Sequence, residues 1–189
     1  MKKILPLLLI GALALLSGCE KNGYRHDSLR TLKSDYKKVI KQYPEAEGNF
    51  VEARYELNAK VSDAAAKDLY PIRVEYYFYW VEIENEAAYV VRYARDFETG
   101  EESEIIKEPI YEPWVEDSHI PNFDGFISLE KALKIIKESD EDSPETVFVT
   151  LRHPVLPNGS PRYVFGGTPD RDKHIHVDAV SGEIYVYED

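Results

Sequence analysis

Ile127-Ser128-Leu129-Glu130-Lys131-Ala132-Leu133-Lys134-Ile135-Ile136-Lys137-Glu138 is the stretch on which the reading of this chain turns. Leu129, Ala132, Leu133, Ile135 and Ile136 fall at the three- and four-residue spacing of one helical face. Ser128 stands where its hydroxyl can cap that helix, and Ile127 can close over the first turn. Four short β-rich runs follow, at Thr146 to Arg152, Arg162 to Phe165, His174 to Ala179 and Glu183 to Tyr187, with turn signals at Asn158-Gly159 and Ser181-Gly182. A helix followed by antiparallel strands predicts an α+β fold with antiparallel sheets and helices packed on one face.

Upstream, the spacing predicts a helix from Ser28, as its cap, to about Tyr43, where Pro44 ends it. Val51 to Val61 alternates apolar and polar residues and reads as a strand with one wet face. Ser62 to Leu69 reads as a short helix. Strands are expected at Ile72 to Glu84, at Ala87 to Arg95 and near Glu102 to Lys107, before a Pro-containing linker over 109–125. The expected organisation is 28–108 as an N-terminal α+β region and 126–189 as a second unit.

Two resemblances emerge. Lys2 and Lys3, an apolar run from Ile4 to Leu16 and the quartet Leu16-Ser17-Gly18-Cys19 are similar to the signal peptide and lipobox of bacterial lipoproteins. That resemblance implies removal of 1–18, a lipid thioether on Cys19 and a tether over 19–27. It also implies export to the cell envelope; Glu20 favours the outer membrane facing the periplasm in a Gram-negative cell. The second resemblance joins Ile127-Ser-Leu-Glu-Lys-Ala132 to His176-Val-Asp178-Ala-Val-Ser181-Gly182-Glu183-Ile184. It resembles PepSY-type domains, whose members are found in propeptides and envelope proteins and are proposed to restrain peptidases or bind proteins. Val61-Ser62 with Ala66, and Asp96 to Glu101, echo the same pattern and raise a tandem of two such units.

Composition narrows the function. The chain carries a net charge of −12, and the leader takes two lysines with it, which leaves −14. Such a surface repels phosphate backbones, so nucleic acid is not an expected partner. Cys19 is the only cysteine, so no disulfide, thiolate metal site or second thiol is available. There is no Gly-x-Ser-x-Gly, His-Glu-x-x-His or Gly-x-x-x-x-Gly-Lys signature, and neither an enzyme nor a cofactor is expected.

Candidate sites are then few. Tyr76, Tyr77, Phe78, Tyr79 and Trp80 alternate along one strand, and whichever face is left open, Tyr77 and Tyr79 above all, would form a stiff aromatic surface for a partner. His174, His176 and Asp178 also share one strand face and are weak candidates for a metal site, with His153 nearby. The expected function is a membrane-anchored, non-catalytic module that binds or regulates a protein or peptide, a peptidase among the partners considered. The alternatives are a small-ligand or metal-binding lipoprotein using the His174/His176/Asp178 face, and a structural envelope component.

Overall fold

The structure is a computed structural model that describes residues 27–82, 87–110, 119–120, 122–139, 141–153, 159–166 and 173–188. The leader, Cys19 and the tether lie outside the described residues.

Helix α1 spans Ser28–Gln42 and helix α2 spans Leu129–Glu138. The strands are β1 (Phe50–Leu57), β2 (Pro71–Glu82), β3 (Ala87–Asp96), β4 (Ile106–Ile110), β5 (Phe148–Arg152), β6 (Arg162–Phe165), β7 (Lys173–Asp178) and β8 (Ile184–Glu188). All eight belong to one sheet, in the order β4-β3-β2-β1-β5-β6-β7-β8, and every pairing is antiparallel.

This corrects the expected α+β architecture with separate sheets. The fold is dominated by a single sheet, and α1 and α2 are its only α-helices among the described residues. The physical reason is that β1 has two partners: its Tyr55 lies opposite Val74 of β2 and Val149 of β5, so the strands of both halves are hydrogen-bonded into one ladder.

The expected helix at Ser62 to Leu69 is also absent. Val61 and Ser62 donate their amides to the carbonyls of Thr146 and Pro144, and these long-range bonds hold the segment in turns, with one 3-10 turn at Ala66–Asp68. Likewise Asp27, rather than Ser28, caps α1 by accepting from the Arg30 amide at 2.9 Å. Ser28 is buried instead: its hydroxyl accepts from Leu129 N and donates to Glu130, so the N-termini of the two helices clasp each other.

Alternation sorts the strand residues onto two faces. Tyr55, Tyr76, Phe78, Tyr93, Val149, Leu151, Tyr163, Phe165, Ile175 and Val177 form the core with Leu32 and Val39 of α1 and Leu129, Ala132, Leu133 and Ile136 of α2. Phe50, Phe78, Tyr36 and Phe123 meet with ring centroids 5.1–5.8 Å apart, joining α1 to the sheet. Each such pair adds about 0.5–1.5 kcal/mol beyond its buried area. Asp35 of α1 is buried against Arg95 of β3, whose guanidinium reaches both carboxylate oxygens, at 2.9 and 2.5 Å.

The two halves carry the same register. Arg73 lies opposite Asp96 across β2–β3, and Arg162 lies opposite Asp178 across β6–β7. Arg95 opposite Glu102 corresponds to Val177 opposite Ile184. The turns match bond for bond: Asp96 Oδ1 accepts from Glu98 N and Thr99 N, as Asp178 Oδ1 accepts from Val180 N and Ser181 N. In each turn the Asp amide donates to the carbonyl of the Glu five residues on, Glu101 or Glu183. Gly100 and Gly182 both adopt positive φ. With a helix before each set of four strands and an antiparallel β1–β5 junction, this is the arrangement that a twofold axis normal to the sheet produces. The helix at the matching place of the first half is α1, and the turn at Asp96 has the same hydrogen bonds as the turn at Asp178.

Candidate functional site

The aromatic run lies on β2 and is buried throughout. Tyr76, Phe78 and Trp80 face the helices. Tyr77 and Tyr79 face the other way, yet they are only 9% and 1% exposed. The guanidinium of Arg54 sits 4.5 Å from the Tyr77 ring, and the Tyr77 hydroxyl donates to Glu75 at 2.8 Å. His119 stacks on Tyr79 at 6.0 Å, with its Nε2 2.9 Å from the Tyr79 carbonyl oxygen. The expected open aromatic surface is therefore covered, because neighbouring charged and imidazole side chains fold down over the rings.

What the second sheet face presents instead is arginine. Arg92 on β3, Arg73 on β2, Arg54 on β1, Arg152 on β5 and Arg162 on β6 all share the alternation of Tyr77. The first four are exposed, as is Phe148 at 54%. Among the described residues no helix lies across this face. Arg73 pairs with Glu75, Arg92 with Glu108, and Arg54 with Glu52, the last through Nε at 2.6 Å. Near β2–β4 the face holds a shallow open depression of about 160 Å³ lined by Arg73, Glu75, Tyr77, Arg92, Ser103 and Ile106.

His174, His176 and Asp178 do share this face on β7, as their spacing predicts. They do not converge as ligands. Asp178 spends Oδ1 on Val180 N and Ser181 N and its other oxygen on the Ser160 hydroxyl. Those bonds hold its carboxyl below the usual range despite burial, which pulls the other way. His174 Nδ1 lies 3.0 Å from the Gly166 carbonyl oxygen. His153 follows the end of β5. Among the described residues no three His, Cys, Asp or Glu side chains come together as a metal site.

His176 is the most perturbed of the set. Burial first, then the positive fields of Arg162 and Arg152 and the neighbouring His174, push its pKa down to about 4. Its ring lies 4.7 Å from that of Tyr187, and Nδ1 has no hydrogen-bond partner among the described residues.

Arg162 and Arg152 were not among the residues the sequence singled out. Arg162 is 7% exposed, its guanidinium lies 3.9 Å from the Tyr185 ring, and it donates to the Tyr187 hydroxyl. The available signal was their placement: each sits next to core positions on a strand, Leu151 and Tyr163, so each must point to the opposite face. Only the pairing of β5 with β6 sets them side by side.

In comparisons with family models, curated proteins and solved structures, nothing matches this chain.

Proposed function

We propose that the chain is an exported, lipid-anchored, non-catalytic module that binds a protein or peptide partner with the sheet face opposite its helices. The observation that carries this reading is the composition of that face: five arginines, the exposed Phe148, and the rings of Tyr185 and Tyr187 beside Arg162. Arginine and aromatic residues are the types enriched where proteins bind one another, whereas lysine is depleted there. Of the eleven lysines among the described residues, seven lie on α1 and α2 instead, at Lys33, Lys37, Lys38, Lys41, Lys131, Lys134 and Lys137.

The resemblance to PepSY-type domains belongs to the same proposal. It is supported by Ile127 N donating to Ala179 O at 2.7 Å, which ties the two quoted motifs together, and by the repeated helix-then-strands order. Anchoring through Cys19 rests on the lipobox alone. It is tested by metabolic lipid labelling, where Cys19→Ser should abolish incorporation.

Crosslinking in intact envelopes tests the binding reading. A specific partner is expected with the wild-type chain and lost on the Arg54→Glu, Arg92→Glu double variant. Undiminished capture by that variant would move the interface off this face.

A further inference from the structure

The duplicated frame shows where the second half departs from the first. Arg73 and Arg162 occupy equivalent positions, each opposite the turn aspartate of its hairpin. In the first half Glu75, two residues on, neutralises Arg73 at 2.5 Å. In the second half Val164 stands at that position and offers no charge. Directly across the β5–β6 ladder from Arg162 lies Arg152, a second cation.

Among the described residues no carboxylate is left for either one. The oxygens of Asp178 are taken by two turn amides and the Ser160 hydroxyl, and Glu52, across from Arg152 on the other side, accepts from Arg54. Glu183 accepts from the Tyr185 hydroxyl at 2.9 Å. Among the described residues neither Arg152 nor Arg162 has an acidic partner. Like charges set directly opposite in a sheet weaken it, so this pair opposes folding.

Arg162 is nonetheless held in place by Tyr187 and by the Tyr185 ring, with Nε buried and unpartnered. A guanidinium fixed in this way loses little further freedom when it binds, and its planar fork matches a carboxylate. His176 packs against the Tyr187 ring, and its buried Nδ1 has no hydrogen-bond partner among the described residues.

We propose that Arg152 and Arg162, with His176 beside them, form a recognition site for a carboxylate carried by an acidic peptide. The proposal rests on the function above only for the ligand's being a peptide. The arginine pair supplies two positive charges, and the His176 ring packs at their side. The net charge of −12 over the full chain disfavours long polyanions, so a short acidic segment fits better than a nucleic acid.

The test is calorimetric titration of the full chain in detergent with three probes: the blocked peptide acetyl-Glu-Glu-Glu-amide, glutarate and inorganic phosphate. The peptide is expected to bind the wild type, to lose at least tenfold in affinity on Arg152→Gln and on Arg162→Lys, and to change less than twofold on Arg30→Gln, an exposed arginine of α1. The melting temperature of Arg152→Gln should equal or exceed that of the wild type, since a repulsion is removed. A fall in that melting temperature would make Arg152 structural and overturn the site, as would equal losses on Arg30→Gln. Glutarate binding without the peptide would overturn the peptide source, and phosphate binding as tightly as the peptide would overturn the carboxylate. Failure of the two readings is separable: partner capture unchanged by Arg152→Gln sinks this site alone, and peptide binding without any envelope partner sinks the proposed function alone.

Discussion

Two positions show how much a single residue decides here. Gly182 has φ +78, and a Cβ there would come within 2.9 Å of Ile135 Cδ1 on α2; its counterpart Gly100 has φ +74 but open space around it. Gly100→Ala should therefore lose about 1 kcal/mol for the left-handed backbone alone. Gly182→Ala should lose about 2 kcal/mol, since contact with the core is added to the same strain. Urea melts of the two variants, compared side by side, check the difference. His176 makes a separate demand on pH. Its folded pKa of about 4 lies below the usual 6.5, so the unfolded chain binds the extra proton first as pH falls. Its contribution is whole above about pH 6.5 and drains away as pH drops toward 4, a loss of about 2 kcal/mol once partial exposure is allowed for. The carboxyls held low, Asp178 and Glu102, act further down: their contribution is whole above the usual carboxylate range and is lost only as pH falls below it. Denaturation at pH 7, 5.5 and 4 should show His176→Gln losing less stability than the wild type over that interval; parallel curves would contradict it.

At the scale of the element, β2 is the most instructive strand. Its alternation was legible in the sequence, and so was the fact that one face must enter the core. The fate of the other face was not, because its cover comes from Arg54 on β1 and from His119, brought there by pairing and chain return rather than by local sequence. Tyr79→Ser is thus a core truncation and should cost about 3 kcal/mol or more. Tyr79→Phe should be neutral or stabilising, because the hydroxyl is buried without a partner. Thermal melts of the two variants give the comparison, and a harmless Tyr79→Ser would restore the open aromatic surface. The helices tell the opposite story. Ser128 caps α2 from a purely local signal, accepting from Lys131 N, whereas Ser62 carries a similar signal and starts no helix. Bonds to Pro144 and Thr146, more than eighty residues away, decide the second case.

The whole molecule depends on the β1–β5 junction, which joins residues about a hundred positions apart and leaves no mark in either segment. That is why the sequence suggests two sheets where there is one. The repeated turn at Asp96 and Asp178 was visible as a string of residue types, but its meaning comes from register, which a sequence does not display. The same holds for Arg152 and Arg162, adjacent only across a ladder. A proline at Thr150, in the middle of β5 between β1 and β6, removes a ladder hydrogen bond and cannot be accommodated in a central strand. Thr150→Pro should speed amide exchange in β2–β3 as well as β6–β7; exchange confined to β6–β7 would mean that the first half holds without the junction.

The clasp between the helix N-termini also sets an orientation. Asp27 enters α1 from the helical layer, and Ser28 is fastened there to Glu130. If Cys19 carries the lipid, the leash between it and Asp27 has no more than about 30 Å of reach. Asp27, where such a leash would join the body, lies on the side of the helices, opposite the sheet face that carries the arginines. With the anchor on that side, a partner for those arginines would be met in the aqueous space rather than among the lipid headgroups.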